Sequence, residues 1–211
     1  MKEFIKNFLP ESVIKYRQYW LKNKEYINWV KAGRPLPPHA IAKQKVLLEY
    51  KNKYNLHVLV ETGTCYGGTI DALKKYFKQL ISIEVSTQLY ILAKQKFAKY
   101  SHIKLYEGDS GLLLPEIIKG INEPCLFWLD GHYSGADTGK GELNTPIFKE
   151  LSAIFSSKFN HVIIIDDARL FVGKEDYPSI EELTDFVKKL KPTANLSVEL
   201  DMIRIVNTQL V

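Results

Sequence analysis

From Leu56 onward the chain alternates short apolar runs with amphipathic, helix-length stretches, and this alternation restricts the fold more than any other feature. Strands are expected at His57–Glu61, Leu80–Glu84, Ile103–Glu107, Cys125–Asp130, His161–Asp166, Ser197–Leu200 and Met202–Val206. Helices are expected at Gly68–Tyr76, Thr87–Lys99, Leu112–Lys119, Thr145–Phe155 and Ser179–Lys191. Strands separated by helices of this length form βαβ units, which build a parallel sheet with helices on its faces. Only Asp201 or so separates the final two strands, far less than a parallel crossover needs, so that pair is expected to be antiparallel. The resulting fold class is α/β: a doubly wound, mostly parallel seven-stranded sheet with an antiparallel last strand.

The 211 residues are 45% hydrophobic and 25% charged, ordinary globular usage that excludes disorder and low complexity. A chain of this length buries roughly 70% of its unfolded surface and needs no disulfide or structural metal to fold. Cys65 and Cys125 are too few for a disulfide framework, which favours a reducing, cytoplasmic setting. Apolar runs such as Val162–Ile165 are strand-length rather than membrane-spanning, and the charged N-terminus lacks the features of a secretion signal.

Charge divides the chain. Residues 1–53 hold 12 Lys/Arg against 4 Asp/Glu, a balance of +8, whereas residues 54–211 hold 17 against 20, a balance of −3. The expected organisation is a basic, aromatic, helical N-terminal segment over 1–53 and a larger body over 54–211. Phe4, Ile5 and Phe8 recur at helical spacing before Pro10, and a second helix starts at Glu11. Gly33-Arg34-Pro35-Leu36-Pro37-Pro38 breaks it, and a third runs from about Ile41 to Tyr54. Tyr16, Tyr19, Trp20, Tyr26 and Trp29 interleave with lysines, which fits contact with nucleic acid or an anionic membrane surface. It equally fits a helical cap that packs on the body, shapes the substrate pocket or forms a homodimer contact. Aromatic stripes at helical spacing serve packing more often than recognition, so the cap is favoured over either surface.

The first body strand runs into Glu61-Thr62-Gly63-Thr64-Cys65-Tyr66-Gly67-Gly68. A strand, a Gly-rich turn and a helix start together make a cofactor cradle, because glycine lets the backbone approach a ligand closely. An ordinary βα turn would look similar. A dinucleotide fingerprint needs a glycine where Cys65 stands, and Glu61 suits a cationic ligand better than a phosphate, so a nicotinamide dinucleotide is disfavoured. Glu84 ends the second strand, where a carboxylate accepts both hydroxyls of a ribose diol. Asp109, in Gly108-Asp109-Ser110, follows the third strand, as an adenine acceptor or simply as a turn residue.

Glu61 through Gly67, Glu84, Gly108-Asp109-Ser110 and the antiparallel final strand resemble the class I S-adenosylmethionine-dependent methyltransferases, whose fold is Rossmann-like. The family pattern of alternating glycines is kept at Gly63 and Gly67 and broken at Cys65. The resemblance covers about residues 54–207. It implies that Glu61 with Gly63, Thr64, Cys65, Tyr66 and Gly67 holds the methionine part, Glu84 the ribose, and Asp109 with Ser110 the adenine end.

Asp130 ends the fourth strand in Phe127-Trp128-Leu129-Asp130-Gly131-His132, and Asp166-Asp167 end the fifth. Parallel strands open these tips on one edge, and three carboxylates there would suit Mg²⁺ or another hard cation. The pattern is similar to the metal-dependent O-methyltransferases, catechol-type and macrocin-type. The alternative is a structural pairing in which Arg169 neutralises Asp167. Asp130 and His132 are the candidate catalytic groups, His132 as metal ligand or general base, with the polar stretch Ser134–Glu142 as a loop over the site or an ordinary surface loop.

The expected activity is methylation of a small-molecule or sugar hydroxyl. Asp130-Gly131-His132-Tyr133 replaces the Asp/Asn-Pro-Pro-aromatic signature of amino-group methylation of bases, which argues against a DNA-base methylase, and a nucleic-acid partner is not expected. An NAD-dependent oxidoreductase and a non-catalytic cofactor-binding scaffold are the competing readings.

Overall fold

The computed structural model describes residues 10–131 and 145–208. The chain divides into two compact units, residues 1–45 and 46–211. In the first unit, α1 (Glu11–Lys31) follows Pro10 and ends at Gly33 and Arg34, both at positive φ. Its C-terminal half closes on the breaker segment: the Trp29 indole N–H donates to the Pro35 carbonyl at 2.7 Å. The Tyr26 ring stacks on Trp29 with centroids 5.8 Å apart, and the Lys45 ammonium lies over Tyr26. α2 (Ala40–Lys53) crosses the division between the units. Among the described residues no helix is long and apolar enough to cross a membrane.

The second unit alternates strands and helices: β1 (Val58–Thr62), α3 (Gly68–Leu73), β2 (Gln79–Glu84), α4 (Thr87–Phe97), β3 (Ile103–Glu107), α5 (Ser110–Lys119) and β4 (Cys125–Leu129). α6 (Ile147–Phe155), β5 (Val162–Ile165), α7 (Ile180–Leu190), β6 (Ala194–Glu199) and β7 (Met202–Asn207) complete it. The seven strands lie in the order β3-β2-β1-β4-β5-β7-β6. β1 through β5 pair in parallel, and β7 runs antiparallel to both neighbours. All seven expected strands are present. β6 begins three residues before the expected Ser197, because its outward-facing polar residues hide its start.

Alternate strand residues feed two cores, as a pleated sheet buried on both faces requires. Val60, Ile83, Phe127, Leu129, Ile163 and Ile165 pack under α5, α6 and α7 through Leu114, Leu151, Ile154, Leu183 and Val187. Leu59, Leu80, Leu126, Trp128 and Ile164 pack with Leu47, Ile70, Leu73, Ala93 and Phe97 on the other face. Helices on both faces leave the C-terminal edge of the parallel strands open for a site.

Candidate functional site

Glu61, Glu84, Asp130 and Asp166 come from neighbouring strand ends. β1 lies between β2 and β4 with Glu61 beside both Ser82 and Trp128, and β4 pairs with β5 so that Leu129 faces Ile165. The turn after β1 is tightly seated. Gly63 has φ +83 and donates its N–H to the Ile83 carbonyl at 3.0 Å. A Cβ there would collide with the Asp130 carbonyl, its carbon 2.8 Å away, so the turn and the β4 tip approach as only glycine allows.

Glu84 is buried, and its carboxylate organises the loop. One oxygen accepts the Cys65 N–H at 2.7 Å and the other the Ser86 N–H at 2.9 Å. Each carboxylate oxygen accepts more than one hydrogen bond, so capacity for a diol remains on both. Cys65 takes a positive φ of 49°, and Cys65 and Tyr66 are exposed on the turn. Thr64 is buried, its hydroxyl 2.6 Å from that of Ser82. Gly67 has φ +67 and donates to the Thr64 carbonyl at 2.8 Å.

Glu61 is 2% exposed and accepts a hydrogen bond from Ser82 at 2.7 Å. Burial raises its pKa to about 8, with Asp130 and Glu84 adding like charge against the hydrogen bonds from Ser82 and Thr69. Ser82, a lone hydroxyl on the buried strand Ile81–Glu84, was not among the expected site residues. Its signal was a polar side chain inside an apolar run.

Asp109 caps α5, accepting the Gly111 N–H at 2.8 Å, and thereby starts the helix two residues before the expected Leu112. The Ser110 hydroxyl is directed to Glu150 at 2.6 Å, both residues buried. Glu150 is a further residue the sequence reading missed. It shares the inward face of α6 with Ile147, Leu151 and Ile154, and a carboxylate within that apolar set was the available sign.

The expected metal carboxylates Asp130, Asp166 and Asp167 lie at the tips of β4 and β5, and Asp167 is engaged by an arginine. Asp167, at φ 55, holds the Arg169 guanidinium at 2.7 Å, and the same guanidinium nitrogen reaches Asp201 in the β6–β7 turn. Asp201 also accepts the Arg169 N–H at 2.8 Å. Among the described residues no three His, Cys, Asp or Glu side chains are placed to hold a metal ion. For Asp167 this is the arginine pairing weighed as the alternative. Asp130 and Asp166 do stand side by side at the β4 and β5 tips, with the Asp166 N–H donating to the Leu129 carbonyl at 3.0 Å. Beside them the Tyr177 phenol is pushed up to about 12 by burial and by Asp167 and Asp130, which keeps it a neutral donor. His132 and the following loop through Asn144 lie outside the described residues.

The fold is shared with solved methyltransferases. The O-methyltransferase TomG from Streptomyces achromogenes, in complex with S-adenosylmethionine, superposes with a TM-score of 0.57 at 15% identity, covering 89% of both chains. An O-methyltransferase from Bacillus cereus, bound to S-adenosylhomocysteine, gives 0.56 at 16%, covering 89% of this chain and 90% of that one. The N-methyltransferase NodS from Bradyrhizobium japonicum gives 0.53 at 14%, covering 79% and 94%. No family model and no curated protein match the chain. Likeness that spans oxygen and nitrogen methylation shows the architecture without choosing an acceptor.

Proposed function

We propose that the chain is an S-adenosylmethionine-dependent methyltransferase acting on a hydroxyl of a small molecule or sugar. The observation that carries the reading is the cradle after β1. There, Gly63 packs against the β4 tip, and the buried Glu84 carboxylate holds the loop while keeping acceptor capacity.

These residues fit the cofactor. Glu84 would take the ribose diol, the turn from Gly63 to Gly67 and Glu61 the cationic methionine end, and Asp109 the adenine end, where its cap leaves a second oxygen. The cofactor supplies a methyl group on a positively charged sulfur, ready for in-line attack. The chain's task is alignment, worth several kcal/mol when reacting atoms are held in place. Asp130, whose backbone seats Gly63, removes the acceptor hydroxyl proton at a carboxylate oxygen, with His132 assigned the same task from sequence. The Arg169–Asp167 pair supports a reading in which alignment and proton removal rest on the chain's own side chains.

Titration calorimetry with S-adenosylhomocysteine and with NAD tests the reading. Binding of the first and not the second is expected. A folded protein that shows no heat with S-adenosylhomocysteine at about 1 mM, a binding free energy weaker than about −4 kcal/mol, overturns it.

A further inference from the structure

The cradle is braced from outside its own loop. α4 is capped by Ser86, whose N–H is held by Glu84, the proposed ribose ligand. At its other end α4 returns to the turn: the Lys96 ammonium donates to the Tyr66 carbonyl at 2.9 Å and to the Gly67 carbonyl at 3.4 Å. Phe97, 3% exposed, fills the space beside Gly67 where a Cβ would come within 2.5 Å of its ring. Both contacts fall where the turn becomes α3, and the Gly67 carbonyl also accepts the Asp71 N–H at 3.0 Å. One helix therefore touches the two halves of the site, the ribose carboxylate at its start and the methionine turn at its end.

We propose that Lys96 is a positioning residue for the cofactor: its ammonium pins the carbonyls of Tyr66 and Gly67 to α4 and fixes the turn in the shape that receives the ligand. The proposal rests on the methyltransferase reading. Lys96 is exposed, so a neutral side chain in its place leaves both cores intact. Losing a charged donor to two carbonyls frees the turn, and the ligand must then order it on binding.

Two variants test this, K96M and K96R. Calorimetry with S-adenosylhomocysteine should show affinity falling about fivefold to tenfold in K96M, the worth of one solvent-facing hydrogen-bond pair. K96R should stay within about twofold of the parent, since a guanidinium also reaches carbonyl oxygens. K96M should melt no more than about 2–4 °C lower, the size of that one interaction, and K96R should match the parent. Amide hydrogen exchange on the ligand-free proteins should be faster at residues 64–68 in K96M alone. Equal affinity in K96M and parent overturns the proposal. So does a loss of affinity that follows a loss of melting temperature and is not recovered in K96R. If the parent itself binds no S-adenosylhomocysteine, the methyltransferase reading falls. Exchange then judges the brace alone, and unchanged exchange at 64–68 removes it too.

Discussion

Replacing Glu61 by Gln should convert a pH-dependent fold into a less pH-dependent one, with a sign opposite to that of most carboxylates. Glu61 lies 2% exposed between Ser82 and Trp128, and burial moves its pKa from 4.5 to about 8. Below pH 4.5 the folded and unfolded chains both hold the proton. Between pH 4.5 and about 8 the unfolded chain gives it up while the folded chain retains it. Stability therefore falls through that window by about 1.4 kcal/mol per pH unit. Above it the deficit levels at about 5 kcal/mol, some 3 of which are already lost at pH 7. Glutamine keeps the shape and an oxygen for the Ser82 hydroxyl without a proton to lose. Urea unfolding followed by tryptophan fluorescence, from pH 4.5 to 8.5, gives the difference between E61Q and parent while cancelling the groups they share. E61Q should approach the parent at pH 4.5 and exceed it by several kcal/mol at pH 8.5. A difference that stays flat across this range would show that Glu61 is ionised in the folded protein and that its burial has been misjudged.

Four other outcomes are expected. Because a cationic sulfonium favours the carboxylate over the acid, S-adenosylmethionine binding at pH 7 should release part of a proton in the parent and none in E61Q, measured by calorimetry in buffers of different ionisation enthalpy. E84Q should weaken S-adenosylhomocysteine by about 10- to 100-fold, the loss of charge-assisted hydrogen bonds to a diol, with NAD as the negative control. G63A should lose ligand binding and melt lower, since its Cβ meets the Asp130 carbonyl at a positive φ that costs about 1 kcal/mol even without the collision. R169Q should lose about 1–3 kcal/mol in urea unfolding, because the Asp201 side chain, 2% exposed, loses its guanidinium partner.

The architecture was legible because its cause is local: period-two apolar strands and amphipathic helices leave their mark in consecutive residues. The glycine turn after β1 and the place of Glu84 at the end of β2 were legible for the same reason, as strand ends and glycines have sequence positions. What stayed hidden depends on contacts between distant segments. Arg169 reaches Asp201 across 32 positions, and Ser110 reaches Glu150 across 40, so nothing near either residue announces its partner. Asp109 shows the opposite limit. A turn acid after a strand caps a helix whether or not it also meets a ligand, and the local pattern is identical.

The contact between Gly63 and the Asp130 carbonyl joins two backbones without an intervening side chain. On the proposed reading, the cofactor turn and the β4 tip are therefore registered by main-chain atoms, so substitution of surrounding side chains should leave that seam in place. Redesign for a different acceptor would accordingly keep Gly63 untouched.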